Sequence, residues 1–281
     1  MIMAVDTLFI SEAWYVLLLW GIVCGLLTGF VAGAMAGFSG LGGGLIYVPA
    51  FFILMPDDDA SLSLQVFASL VAVTITGFFS ARAHWRLNHV RLDFLARLLP
   101  ALAIGCALGL WLTLRIPEVW LLLALALLNL IVAWDYWHNK SSRKKQTVSG
   151  LLTPLAFPIG YISGSLGIGG GTMLVPLLRR QLPLREAIGT SAACGMMMAA
   201  LAVSLNLLGE SAWHQQIGQH IELLAGIWIG LFFTVPKASA WAAGCHSHLD
   251  ESLIRHVLTA VFLMLAAGML IAAYINSGLF A

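Results

Sequence analysis

The stretch GFSGLGGGLIYVP, residues 37–49, decides the fold of this chain, because it places three consecutive glycines in sequence that is otherwise apolar. Glycine is a poor helix residue, but it tolerates the backbone conformations that an unwound loop requires. The pattern returns as GSLGIGGGTMLVP, residues 164–176, with seven identities in 13 positions, five of them glycine. The duplication predicts two related halves, each interrupted by a glycine-rich break.

The composition is typical of a membrane protein. Of the 281 residues, 60% are hydrophobic and 10% are charged, against about 25% charged residues in soluble domains. In lipid every backbone polar group needs an internal partner, and long apolar runs that do not alternate favour helices over a barrel. We therefore predict an all-α polytopic membrane protein in the lipid bilayer. We expect no nucleic-acid partner and leave a homo-oligomer open.

Two apolar segments are too short to cross a bilayer. Leu45–Met55 has 11 residues and Thr172–Leu178 has 7. As helices they reach about 16 Å and 10 Å, against a hydrocarbon core of about 30 Å. Each follows a glycine triplet, so each is predicted to be a half-helix that starts near the midplane. The predicted segments are 14–36, 45–55, 61–81, 94–114, 117–137, 150–166, 172–178, 187–208, 221–245 and 252–275.

The segments divide into two repeats of about five each. The first repeat covers residues 1–138 and the second covers 150–281, with a basic connector at 139–149 between them. If each repeat crosses the membrane an odd number of times, the two insert in opposite senses and form inverted repeats. Many secondary transporters are built in this way, with a site at the midplane between interrupted helices.

The charge distribution predicts the orientation. With this topology, all of the 14 Lys and Arg residues except Arg115 and Lys237 fall on one face, which the positive-inside rule assigns to the cytoplasm. We therefore predict a multi-pass protein of the cell (inner) membrane with both termini outside. The predicted cytoplasmic loops are 82–93, 139–149 and 179–186.

The glycine breaks predict an anion site. The first N–H groups of a helix have no intrahelical partner, and the helix dipole places partial positive charge there. Two such ends that converge near the midplane can bind an anion without a fixed cation. Nearby hydroxyls, with Ser69 as a weaker candidate, could donate hydrogen bonds. The candidate substrate-binding residues are Ser39, Gly40, Gly42, Gly43, Gly44, Gly167, Gly169, Gly170, Gly171, Thr172, Thr190, Ser191 and Lys237. The alternative is that the glycines only pack helices together.

Lys237, in the segment FTVPKASAW, is a cation inside a predicted span. An ionised Lys at the bilayer centre costs about 2.5–3.5 kcal/mol on insertion scales, so its presence needs a cause. It either lies beside the anion path or extends to the membrane surface. The sequence leaves both interpretations open.

The sequence offers no signature of an enzyme. No GxxxxGK[ST] phosphate loop follows either glycine triplet, and we find no catalytic triad, paired intramembrane carboxylates or metal-ligand spacing. We therefore expect neither enzymatic activity nor a cofactor nor a metal. The remaining alternatives to a secondary transporter are an anion channel and a non-transporting scaffold subunit of a membrane complex.

The duplicated pattern G-x-x-G-x-GGG-x-x-x-V-P, with AIGTSAACG at 187–195 after the second copy, resembles the sulfite exporter TauE/SafE family of membrane permeases. The resemblance extends over nearly the whole chain. It implies transport of sulfur-containing or related small organic anions such as sulfite and sulfonates. Our first hypothesis is a secondary transporter that exports them by alternating access around the midplane site. Two features depart from the family pattern: FASL at 67–70 replaces a Thr-Ser pair, and Lys237 stands in a stretch that is usually uncharged.

Overall fold

The computed structural model describes residues 2–39, 43–55, 62–113, 115–138, 152–208, 216–245 and 251–277. In these ranges the chain forms ten helices of eight or more residues and no strand, which confirms the all-α prediction. The helices are α1 (Ile2–Ser39), α2 (Gly44–Leu54), α3 (Leu62–Arg86), α4 (Leu92–Thr113), α5 (Glu118–His138), α6 (Leu152–Leu166), α7 (Gly171–Leu178), α8 (Leu184–Leu208), α9 (Ile221–Cys245) and α10 (Glu251–Asn276).

Seven of the described helices are long and apolar enough to cross a membrane: α1, α3, α4, α5, α8, α9 and α10. The predicted short helices are also present, with 11 residues in α2 and 8 in α7. Each begins at the third glycine of its triplet, Gly44 or Gly171, and each has a proline at its sixth residue, Pro49 or Pro176. The two copies of the motif therefore fold alike.

The main helix contacts join the two halves of the chain. The most extensive pairs are α1 with α9, α4 with α6, α5 with α10 and α3 with α8. If α1–α5 correspond in order to α6–α10, exchanging the halves converts the α1–α9 pair into the α6–α4 pair. The same exchange converts each of the other two pairs into itself. The packing is therefore compatible with inverted repeats, which remain a prediction.

Glycines allow the two largest of these contacts. A Cβ added to Gly25 in α1 would collide with the carbonyl oxygen of Ile227 in α9, and one added to Gly109 in α4 would collide with that of Tyr161 in α6. The backbones touch because no side chain separates them. The glycines that meet an opposing backbone in this way are Gly21, Gly25, Gly226 and Gly230 between α1 and α9, and Gly105, Gly109, Gly160 and Gly164 between α4 and α6.

The α3–α4 connection packs on the start of α8 and so joins the halves at one end of the bundle. Arg91 donates from Nη1 to Glu186 Oε2 over 3.2 Å, and its backbone N–H donates to Thr190 Oγ1 over 3.0 Å. Hydrogen bonds from its guanidinium to Asp93 and then to Glu186 raise the pKa of Arg91, so this side chain stays charged. The loops 82–93 and 179–186, which are predicted to share one side of the membrane, therefore lie at the same end.

Candidate functional site

The two glycine breaks meet in the interior of the protein. A Cβ added to Gly44, the first residue of α2, would collide with the carbonyl oxygen of Ile168 in the break before α7. A Cβ added to Gly167 would lie 3.2 Å from Val48 Cγ2 in α2. All four of these residues are buried. The glycine breaks of the two halves are therefore in direct contact, as expected if the two half-helices converge.

A small cavity of about 30 Å³ lies between these breaks and the helices α3 and α8. Its described lining includes three hydroxyl side chains and no charged side chain. Glycine backbone contributes much of the remaining wall. The lining residues are Gly43, Gly44, Val73, Thr76, Gly77, Ser80, Ile168, Gly169, Gly171, Ser191, Ala192, Gly195 and Met196.

The cavity lies at the mid-length of two candidate spans. Gly77 is near the centre of α3, and Met196 is at the centre of α8. The helices touch at this point, because a Cβ on Gly77 would lie 2.9 Å from Met196 Cβ. A bilayer crossed by α3 and α8 would have its midplane close to the cavity.

The backbone before α7 requires glycine. Gly167, Gly169 and Gly170 have φ values of 68°, 72° and 69°, in the left-handed region that costs other residues roughly 1–2 kcal/mol. Gly170 is the N-cap of α7 and no side chain caps this helix. At this helix start the backbone N–H groups of Gly171 and Met173 donate to the carbonyl oxygens of Gly169 and Gly170, over 2.9 and 3.2 Å. Gly171, where the helix begins, lines the cavity.

The break before α2 uses glycine for space instead. Gly43, the N-cap of α2, has an ordinary φ of −80° and no side-chain cap. A Cβ at this position would lie 2.6 Å from Ala32 Cβ and 2.9 Å from Tyr47 Cε2. The second glycine break therefore uses glycine for left-handed backbone, and the first uses it to leave room for neighbouring side chains. Both place the start of a helix without a side-chain cap beside the cavity.

Two serines hold the second glycine break in place. Ser191 Oγ in α8 donates to the carbonyl oxygen of Gly171 over 3.1 Å, and Ser69 Oγ in α3 donates to that of Gly167 over 2.7 Å. Ser191 also lines the cavity. Thr190 is not in the lining, because its hydroxyl accepts the backbone N–H of Arg91. Adjacent helical residues point about 100° apart, so only one of this pair faces the cavity.

The α3 side of the cavity carries two hydroxyls that were not among the predicted site residues. Thr76 and Ser80 follow Val73 and Gly77 at the spacing of one helix face. Thr76 Oγ1 donates to the carbonyl oxygen of Ala72 over 2.8 Å and lies 2.6 Å from Tyr47 Oη. Since Thr76 has a single hydroxyl hydrogen, the buried Tyr47 is the donor in this pair. In the sequence, the spacing of small and polar residues along α3 could have indicated this face of the helix.

Ser163 in α6 is a buried hydroxyl behind the start of α7. Its side chain is 1% exposed, and its Oγ has no hydrogen-bond partner among the described residues. A Cβ added to Gly170 would lie 3.2 Å from this oxygen. Buried polar atoms are nearly always paired, and an unpaired one costs about 1–3 kcal/mol. Ser163 is therefore a free hydrogen-bonding group beside an uncapped helix start.

Comparison with known proteins identifies the family. The family model described as sulfite exporter TauE/SafE matches residues 24–269. This chain belongs to the sulfite exporter TauE/SafE family. With its multiple apolar helices, it is a multi-pass membrane transporter. This agrees with the expectation that it is not an enzyme.

Two relatives of this TauE/SafE protein are described as transporters. A probable membrane transporter protein of Haemophilus influenzae is 34% identical over 184 residues, which cover 62% of this chain and 69% of the relative. A probable membrane transporter protein, YunE, of Bacillus subtilis is 23% identical over 235 residues, covering 73% and 84%. No solved structure matches the chain.

Lys237 of this TauE/SafE protein lies away from the central cavity. It is exposed on α9, which runs through Pro236 without a break. It lines a separate groove of about 340 Å³ between α1 and α9. Four other predicted positions are not placed, because Gly40, Gly42 and the side chains of Ser39 and Thr172 lie outside the described part of the chain.

Proposed function

We propose that this protein is a secondary transporter that exports small sulfur-containing or organic anions, of the sulfite or sulfonate type, by alternating access. One observation carries the proposal: the starts of both half-helices, one from each half, border one cavity at the mid-length of two spans, and no described lining residue is charged. The family and its relatives support transport as such. The proposal adds the class of substrate and the direction of transport.

The electrostatics of the cavity favour an anion. Each helix start carries roughly half a positive charge, and the low dielectric of a membrane interior strengthens its attraction for an anion. Thr76, Ser80 and Ser191 add hydroxyls near the same space. Because no described lining residue is a fixed cation, a bound oxyanion would not be held by an ion pair and could be released to either side. Sulfite and sulfonate oxygens suit such donors.

Alternating access requires that contacts between the halves open and close. The Arg91–Glu186 contact joins the halves at one end and is solvent-exposed, since the Arg91 side chain is 45% exposed. Exposed ion pairs contribute only about 0–1 kcal/mol, so this ion pair adds little to the cost of opening that end. The charge rule assigns this end to the cytoplasm, which completes the proposed orientation in the inner membrane with both termini outside.

Flux into liposomes tests the proposal. The purified protein is reconstituted, and movement of radiolabelled sulfite and of a small alkyl sulfonate is measured with and without a pH gradient. We expect saturable flux, counterflow when unlabelled anion is present on the far side, and loss of both in Gly170→Leu. Gly218→Leu is the matched control, because a Cβ at Gly218 meets no atom within 4 Å.

The same experiment separates the alternatives. Flux that neither saturates nor shows counterflow would identify a channel. Absence of flux for every anion by the wild-type protein would favour a scaffold role. Normal flux in Gly170→Leu would remove the glycine breaks from the transport site.

A further inference from the structure

A lateral groove between α1 and α9 is separate from the central cavity. Its α9 wall carries Phe233, Lys237 and Trp241 at four-residue intervals, which is one face of a helix. Its α1 wall carries Leu26 and Phe30, also four residues apart. The side chains of Leu26, Phe30, Phe233 and Trp241 are between 41% and 60% exposed. The groove therefore opens outward, toward the lipid.

Lys237 is the charged residue of this otherwise apolar groove. No carboxylate among the described residues forms an ion pair with it. A second, weaker hydrogen-bonding group, the Thr234 hydroxyl, lines the same groove. A cation in such a setting requires an anionic neighbour from outside the described chain or direct access to water.

The position of Lys237 in the span makes direct access to water difficult. It lies five residues before the end of the candidate span Ile221–Ala242, or about 8 Å inside it. Side chains of a helix tilt toward its N-terminus. For Lys237 this direction leads to the midplane and away from the nearer membrane surface. This direction favours an anion inside the groove, over direct contact with water, as the partner of the ammonium.

We propose that this groove binds an anionic phospholipid, with its phosphate on Lys237 and an acyl chain along the apolar wall formed by Leu26, Phe30 and Trp241. Phe30 and Trp241 lie with ring centroids 5.7 Å apart and border the space that the chain would occupy. Basic residues between transmembrane helices are suited to anionic headgroups. A symmetric contact with a second copy fits less well, because it would bring two Lys237 side chains together.

Native mass spectrometry tests this site. Delipidated protein in detergent is titrated with phosphatidylglycerol or with phosphatidylcholine of the same acyl chains. We expect the wild type to retain phosphatidylglycerol preferentially, Lys237→Met to lose about fivefold in affinity for it, and Lys237→Arg to keep it. Phe30→Ala is expected to weaken both lipids, because it removes part of the acyl wall.

The matched control is Arg97→Met. Arg97 is exposed and lies five residues inside the span Leu92–Thr113, but its helix tilts the side chain toward the nearer surface. We expect this variant to bind phosphatidylglycerol normally. An equal loss in both variants, equal retention of the two lipids by the wild type, or full binding by Lys237→Met would overturn the proposal. The proposal would also be overturned if Lys237→Met abolished a dimer without changing lipid binding, or if the protein retained inorganic phosphate but no lipid.

Discussion

The backbone at Gly44 lies directly against the carbonyl oxygen of Ile168. Gly44 begins α2 in the first half of the chain, and Ile168 belongs to the break before α7 in the second half. The contact leaves no room for a Cβ, so it fixes how closely the two half-helices approach each other. The shape of the cavity depends on this approach.

Substitution of Gly44 by Ala is expected to destabilise the protein and reduce transport. The added methyl meets backbone that cannot rotate away, and such overpacking costs about 1–3 kcal/mol. Thermal unfolding in detergent and flux in liposomes measure the two effects. Gly218→Ala serves as the control, because nothing lies within 4 Å of its Cβ position. A Gly44→Ala protein with wild-type melting and flux would show that the breaks do not touch.

Ser163→Ala is expected to weaken transport without lowering the stability of the protein. The hydroxyl has no partner among the described residues, so its removal should leave the melting temperature unchanged or raise it. If Ser163 donates to the bound anion, the KM for sulfite should rise about tenfold, as expected for a hydrogen bond to a charged group. Ser204→Ala, at an exposed hydroxyl on α8, provides the comparison. An unchanged KM in Ser163→Ala would exclude contact with the substrate.

The Tyr47–Thr76 pair predicts an asymmetric response. Thr76→Val leaves the buried Tyr47 hydroxyl without its acceptor, which should cost about 1–3 kcal/mol. Tyr47→Phe leaves Thr76 bonded to Ala72, so the loss should be nearer to ~1 kcal/mol. Chemical denaturation measures both. Equal or reversed losses would contradict the assignment of Tyr47 as the donor.

Charge reversal tests the contact between Arg91 and Glu186. Glu186→Arg brings two cations together, and the added Arg91→Glu restores opposite charges at this contact while removing the Arg91–Asp93 pair. Because exposed pairs contribute little to stability, we expect melting to change by less than about 1 kcal/mol while transport rates change in the single variant and recover in the double variant. High salt should reduce the difference. If the double variant does not recover, this contact does not control the opening of that end.

The helix pattern was predictable because it depends on local sequence. Apolar runs gave bounds close to those of the helices except for α1, which begins at Ile2 and not at residue 14, and the glycine triplets marked the starts of α2 and α7. The short lengths of these two helices led to the prediction that the two glycine breaks meet near the midplane. Their contact through Gly44 and Ile168 is in keeping with that prediction.

The side chains around the cavity were harder to predict because they depend on how helices are rotated. Thr190 and Ser191 are adjacent in sequence, yet only Ser191 lines the cavity. Thr76 was visible as part of a regular face of α3, but nothing in the sequence assigned that face to the interior. The unpaired state of Ser163 is a property of tertiary packing alone.

The pairing of α1 with α9 has a consequence for biosynthesis. Gly25 meets Ile227, which the ribosome adds about 200 residues later, or roughly 10–40 s at ~5–20 residues per second. During this interval the glycine face of α1 lacks its partner helix. Neither half can complete its packing until the last third of the chain has been inserted.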